Sequence, residues 1–330
     1  MLCEVDMNEY YETMKKNNIC LKEKLNHFVP EEICELESLK LGDVPNAKTS
    51  IHPAQVESAK TVFNRLQELT GECAGTNPYQ RVVISVYGGA GVGKTGMSAL
   101  LTEFFHQAGI KAYNLSGDNY PRRFPKYNDA ERLCLFRKAG LCGLIESNEY
   151  TEERFAVIQK LQQEDKDADE EYVSRYPWMK TYIQAGKERL KKYLGGYEEQ
   201  EYETVNQIIS AFKNGARYIW MKKMGREESE LWYDKVDFSD VNILILEWTH
   251  GNNDLLEGID IPVYLNSTPK ETLEYRKKRN RDKNSDSPFV TMVLSIEQEL
   301  LKSQVEKAKI IFLKEGRIVS HNEYSQMETS

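Results

Sequence analysis

Gly88-Gly89-Ala90-Gly91-Val92-Gly93-Lys94-Thr95 fits the pattern G-x-x-x-x-G-K-[ST] of a phosphate-binding loop, and its flanks are the ones that pattern requires. Before it, Val82-Val83-Ile84-Ser85-Val86-Tyr87 is a β-branched, apolar run that reads as a buried strand. After it, Met97, Leu100, Leu101, Phe104 and Phe105 recur at the spacing of a helix packed on a sheet, and Gly109 stands where a C-cap is expected. The glycines let successive N–H groups turn inward on an anion, and the new helix adds its positive end. Lys94 then faces the β- and γ-phosphates of a nucleotide, and Thr95 offers its hydroxyl to Mg²⁺. A glycine-rich turn with an exposed lysine would not explain why Lys and Thr stand together at a helix start.

Working outward, the pattern continues as strand, helix, strand. Ile110 to Leu115 reads as a second strand ending in Ser116-Gly117-Asp118, and Val241 to Leu246 as a third ending in Glu247. Ile261 to Leu265 is a fourth, followed by Thr268-Pro269-Lys270-Glu271, a capping box with Pro at the first helical position. Ile310 to Leu313 closes the set. Strands alternating with helices predict a mainly parallel, five-stranded sheet covered on both faces, with ligands at the carboxyl ends of the strands. Asp118 and Glu247 are candidates by that position as well as by type.

Residues 1–75 read as a helical prefix whose stripe of Val56, Ala59, Val62, Phe63, Leu66 and Leu69 is closed by Gly71. Residues 76–330 read as the nucleotide domain, with an insertion at about 146–240. In it, Tyr182 to Phe212 reads as helices broken at Gly195-Gly196, the acidic run Gln162 to Glu171 as a solvated helix face, and Tyr218 to Met221 with Leu231 to Tyr233 as a hairpin. Such long insertions are often functional, and this one is expected to form the acceptor side of the site.

The chain has 330 residues and a formal net charge of −8. That balance argues against a protein that grips nucleic acid backbone. No apolar run approaches the ~18 residues of a membrane span, and the N-terminus lacks the order of a signal peptide. Six scattered cysteines without C-x-x-C spacing read as reduced thiols of a cytoplasmic protein. A small-molecule acceptor is the expected partner, and a homo-oligomer stays open.

A P-loop states that phosphates are held, not what is done with them. GTPase switch and guanine-reading motifs are missing, which leaves the small-molecule kinases as the class to weigh against a nucleotide-dependent switch. From about Pro78 to Leu313, excluding much of the insertion, the chain resembles the uridine kinase and phosphoribulokinase group of P-loop kinases. The resemblance rests on Pro78-Tyr79, on Ser116-Gly117-Asp118-Asn119-Tyr120, on Leu244-Ile245-Leu246-Glu247, and on Arg276 to Asp282 with its terminal Arg281-Asp282. It implies ATP as phosphate donor, Mg²⁺, and Asp118 as the group that takes the proton of the acceptor hydroxyl. It implies a supporting role for Glu247 toward the metal, although Trp248 stands where that group has glycine. It also implies phosphate contacts from a closing helix through Arg276, Arg279 and Arg281, and a substrate contact from Arg226.

Tyr120, Arg122 and Arg123, just beyond the candidate base, are further candidates for the acceptor. Ser116-Gly117-Asp118-Asn119 followed by Arg122 also resembles the corresponding loop of adenylylsulfate kinase, over a shorter stretch. His250 receives no catalytic assignment.

Overall fold

The computed structural model describes residues 21–45, 51–279 and 287–328. Its centre is a six-stranded sheet in the order β2-β5-β1-β6-β7-β8, with β1 Val82–Gly88, β2 Lys111–Ser116, β5 Val241–Glu247, β6 Ile261–Asn266, β7 Ile310–Leu313 and β8 Ile318–Val319. The pairs β2–β5, β5–β1, β1–β6 and β6–β7 are parallel. Only the two-residue β8, too short to show in the sequence, runs antiparallel at the edge. A second, two-stranded sheet pairs β3 Tyr218–Met224 with β4 Leu231–Asp237, the expected hairpin with longer arms.

The alternation of β1 explains how both faces are covered. Val82, Ile84 and Val86 point into one core together with Ile243, Ile245 and Val263. Two helices close that face: α1 Pro53–Ala74 through Ala59, Val62, Phe63 and Leu66, and α2 Lys94–Gln107 through Leu100, Leu101, Phe104 and Phe105. Val83 points the other way, into a core shared with Leu244, Leu246 and Val205, Ile208 and Phe212 of α7 Tyr202–Lys213. Every residue of β1 is buried, as a central parallel strand covered on both faces must be. The architecture is the α/β fold expected from the sequence, a mainly parallel sheet covered by helices on both faces.

The prefix differs from expectation in detail. α1 continues through Gly71 to Ala74, and residues 27–45 are irregular apart from a 3₁₀ turn at Leu36–Ser38. The glycine that fits the C-terminus of α2 is as read: the N–H of Gly109 donates to His106 O and that of Ile110 to Phe105 O. Between β2 and β3 lie α3 Pro125–Glu146, α4 Glu152–Gln163, α5 Tyr172–Arg175 and α6 Met179–Tyr193. With α9 Pro288–Ser303, helices α3, α4 and α6 share a core around Phe136, Leu144, Ile158, Tyr182, Leu190 and Ile296. The acidic run 162–171 is not a helix face. Only its first two residues are helical, and Asp167, 2% exposed, accepts from Arg137 Nη2 at 2.8 Å and Tyr182 Oη at 2.9 Å. A buried carboxylate is retained there because a guanidinium and a phenol satisfy it.

Candidate active site

The loop after β1 takes the conformation that its glycines permit. Gly93, at φ +101°, caps α2, a backbone that L side chains rarely adopt. Lys94 Nζ donates to Gly88 O at 3.0 Å and Gly89 O at 3.1 Å, lying over the loop it is expected to serve. Ala90 lines a cavity of about 640 Å³, the main one among the described residues near this loop, and Gly89 and Ala90 border a smaller one. Val92 packs against the sheet core. α8 Pro269–Arg279 starts on the expected capping box, Thr268 N donating to Glu271 Oε2 at 2.7 Å and Glu271 N to Thr268 Oγ1 at 3.3 Å. It carries Arg276 across the loop: a Cβ on Gly91 would stand 3.1 Å from Arg276 Cγ. The Arg276 guanidinium donates to Pro269 O at 2.9 Å and lines the main cavity. Arg279 ends α8; its side chain, and all of Arg281 and Asp282, lie outside the described residues.

Strand register brings the two candidate carboxylates to the same edge. Glu247 pairs with Ser116 of β2 on one side and Val86 of β1 on the other, so it sits between the two strand ends. It is 6% exposed and accepts from Ser116 Oγ at 3.3 Å. Asp118 follows on a 3₁₀ turn, Gly117–Asn119, is exposed, and lines the main cavity. Trp248, in the place of the expected glycine, fills the space that Gly117 leaves: a Cβ on Gly117 would meet the indole at 2.0 Å. The indole, 2% exposed, also packs on Tyr202 at 5.2 Å and forms part of the cavity wall. The departure at 248 is therefore matched by the absence of a side chain at 117.

The turn that holds Asp118 is fastened by a residue that sequence reading passed over. Asp43 Oδ1 accepts from Ser116 N at 2.7 Å and Asn119 Nδ2 at 2.9 Å, while Oδ2 accepts from Tyr113 Oη at 2.9 Å and Lys223 Nζ at 2.5 Å. Both charges of the Asp43–Lys223 pair are buried. Burial and the Asp43 charge together push the Tyr113 phenol well above its ordinary range, so it acts as a donor. Asn119 completes the fastening by accepting from Met224 N at 3.1 Å, which ties the hairpin to the same turn.

The other candidates separate into two sets. Arg226 lies in the turn of the hairpin and lines the cavity; Glu230 Oε2 accepts from its backbone N–H at 2.8 Å. Lys126, at the start of α3, holds the neighbouring Glu227 at 2.7 Å. Tyr120 is fully buried in the core below the cavity. Arg122 Nη2 donates to both carboxylate oxygens of Glu203 at 3.0 Å, and Arg123 is paired with Glu131 at 3.2 Å and donates to Tyr193 Oη at 3.1 Å. Neither arginine is among the residues that line the cavity.

Arg132 of α3, His250 and Glu297 of α9 complete the wall, with the buried Glu199 behind Arg132. Arg132 Nε and Nη2 donate to Glu199 Oε1 at 2.8 and 2.7 Å, and Gly195 N donates to the other oxygen at 2.8 Å. Burial would raise the Glu199 carboxyl, but Arg132 and the backbone donor outweigh it and hold it below the ordinary carboxylate range. The Glu297 carboxyl is pushed up by burial, which the more distant Arg132 only partly offsets. His250, 5% exposed, is held down to about 4 by burial and is neutral at physiological pH. None of these carried a signal along the chain, since a polar residue has the same local pattern whether it faces solvent or a cavity.

The residues present fit a magnesium-bound nucleotide. The Thr95 hydroxyl, at the N-terminus of α2, has no hydrogen-bond partner among the described residues, and the Glu247 carboxyl stands at the adjacent strand end. A hydroxyl and a carboxylate are the hard oxygen donors that Mg²⁺ takes.

No family model matches the chain. Over 254 residues, 77% of its length, it is 37% identical to the bifunctional alpha-galactosidase/sucrose kinase of Mediterraneibacter gnavus. The match spans only 22% of that much longer protein. Among solved structures, a protein described as a fructose transport system kinase from Silicibacter sp. TM1040 aligns over 72% of this chain and 94% of its own, with a TM-score of 0.42 and 14% identity. A protein described as a uridine kinase from Bacillus stearothermophilus aligns over 75% and 99%, with a TM-score of 0.35 and 14% identity. The parallel sheet with its phosphate-binding loop and the sequence relative agree with the resemblance to P-loop small-molecule kinases.

Proposed function

We propose that the chain transfers the γ-phosphoryl group of ATP, with Mg²⁺, to a hydroxyl of a small sugar. The observation that carries this is the convergence of three elements on one strand edge. The P-loop after β1, Asp118 after β2 and Glu247 at the end of β5 meet beside a cavity large enough for a small metabolite. The relative supports the acceptor class: of the two activities in its name, the kinase is the one that uses a nucleotide, and the P-loop lies in this chain.

In this reading Lys94 and the loop N–H groups hold the β- and γ-phosphates and neutralise charge that moves during transfer. Arg276, already lying across Gly91, adds a second cation over the phosphates. Thr95 and Glu247 hold the metal, which when bound screens the phosphate oxygens. Asp118, exposed to the cavity, takes the acceptor proton. Asp43 holds Ser116 and Asn119 on either side of Asp118, so its approach to the hydroxyl is set before substrate arrives. Arg226 and the hairpin turn, within the insertion at 146–240, wall the acceptor side together with residues of α3 and α9.

The test is ADP release with ATP and Mg²⁺ across neutral sugars (sucrose first), nucleosides, sugar phosphates and adenylylsulfate. Acceptor-dependent turnover with a neutral sugar supports the reading. Equal, slow ATP hydrolysis with every compound would favour a nucleotide switch instead.

A further inference from the structure

Phosphoryl transfer as proposed leaves the Glu297 carboxyl without a task. Its side chain is 12% exposed, borders the same cavity as Asp118, and lies near enough to Lys94 to feel its charge. Among the described residues its one ion-pair partner is Arg132, at 3.5 Å, and no described group donates a hydrogen bond to it. Arg132 is already matched: two of its nitrogens serve Glu199, whose second oxygen is filled by a backbone N–H. Glu297 is thus the surplus carboxyl of the cluster, with hydrogen-bonding capacity turned to the cavity. A buried carboxyl left in that state is costly unless something completes it.

The chemistry of what completes it is restricted. A hydroxyl donates to a carboxylate and accepts from a carboxylic acid, so it fits Glu297 in either protonation state. A phosphate or carboxylate in the same place would meet the ionised Glu297 carboxyl as like charge in a low-dielectric wall. Asp129, Glu227 and Glu230 border the cavity together with Arg226 and Arg276, so the bias belongs to the Glu297 position and not to the cavity as a whole. Arg122 and Arg123, which could have received an anionic acceptor, are paired with Glu203 and Glu131.

We propose that Glu297 is a specificity-determining residue that receives a hydroxyl of a neutral, polyhydroxylated acceptor and discriminates against acceptors that already carry phosphate. The Glu199–Arg132 pair is the strut that positions it. This rests on the phosphoryl-transfer reading above.

The experiment is steady-state ADP release by wild type and Glu297→Gln with sucrose, fructose and fructose 6-phosphate, alongside thermal melting to verify that the variant is folded. Wild type should prefer the neutral sugars. Glu297→Gln should raise the KM for the preferred sugar by about 10-fold or more, as for loss of a hydrogen bond to a charged group. It should also narrow the preference over fructose 6-phosphate, with the KM for ATP little changed. The proposal is overturned if the KM for the sugar does not move, if the loss falls on the KM for ATP, or if wild type prefers the phosphorylated sugar. Absence of acceptor-dependent turnover in wild type would overturn the phosphoryl-transfer reading itself, and this proposal with it.

Discussion

Asp43→Asn preserves the shape of the residue that fastens the Asp118 turn and removes its charge. Both carboxylate oxygens are fully used, each by two donors: Ser116 N and Asn119 Nδ2 on one, Tyr113 Oη and Lys223 Nζ on the other. An amide has a single acceptor oxygen, so either orientation turns an NH₂ toward two donors. Lys223 is also left as a buried ammonium with no counter-charge from Asp43. Removing one partner of a buried ion pair costs about 3–5 kcal/mol, and the substitution is expected within that range. Urea unfolding at neutral pH reads it directly. The double variant with Lys223→Met removes the stranded charge, so it should be more stable than the sum of the single losses by about 2–3 kcal/mol. Because Ser116 and Asn119 flank Asp118, residual Asp43→Asn activity should fall more in turnover than in nucleotide affinity. A loss below about 1 kcal/mol, or strict additivity with Lys223→Met, would refute the claim that this buried pair fixes the turn.

Three further outcomes follow from the site. Lys94→Ala should weaken nucleotide binding by about 1.5–3 kcal/mol, the range for a hydrogen bond to a charged group; an unchanged calorimetric affinity would contradict the phosphate cradle. Gly117→Ala drives a methyl into the Trp248 indole and should cost about 1–3 kcal/mol as overpacking, read by denaturation; Gly117→Ala combined with Trp248→Gly should recover part of it, and no recovery would separate the two positions. His250 has a folded value of about 4 against ~6.5 when unfolded. Its contribution is therefore complete above ~6.5 and is lost as pH falls toward 4, about 3 kcal/mol over the window; urea midpoints of His250→Phe that fall as steeply with pH as those of wild type would contradict the assignment.

What could be read along the chain is what local pattern encodes. The P-loop, the unbroken apolar run of β1 and the stripe of α2 are patterns a few residues long, and the strands ending at Ser116 and Glu247 showed where ligands gather. The fastening of that edge was not readable. Asp43 and Lys223 are 180 positions apart, and Arg132 and Glu199 are 67 apart. Each looks locally like an ordinary surface charge, and only folding shows that it is buried with an opposite partner. The exchange at Trp248 is instructive in the same way: the sequence marks a departure, but its compensation at Gly117 lies across the sheet edge. Arg122 and Arg123 show the converse, cations adjacent in sequence to the candidate base that the fold pairs with Glu203 and Glu131.

The central claim, transfer of a phosphoryl group to a sugar hydroxyl with Asp118 as the proton acceptor, is tested most directly by phosphorus NMR. The reaction holds ATP, Mg²⁺ and sucrose, with wild type and Asp118→Asn side by side. The account predicts a sugar phosphate monoester resonance that grows with ADP for wild type. For Asp118→Asn it predicts a rate lower by about 10²–10⁴-fold, as for loss of a general base, with ATP still bound. Inorganic phosphate as the sole product across the neutral sugars, or an Asp118→Asn enzyme that forms the monoester at the wild-type rate, would contradict it.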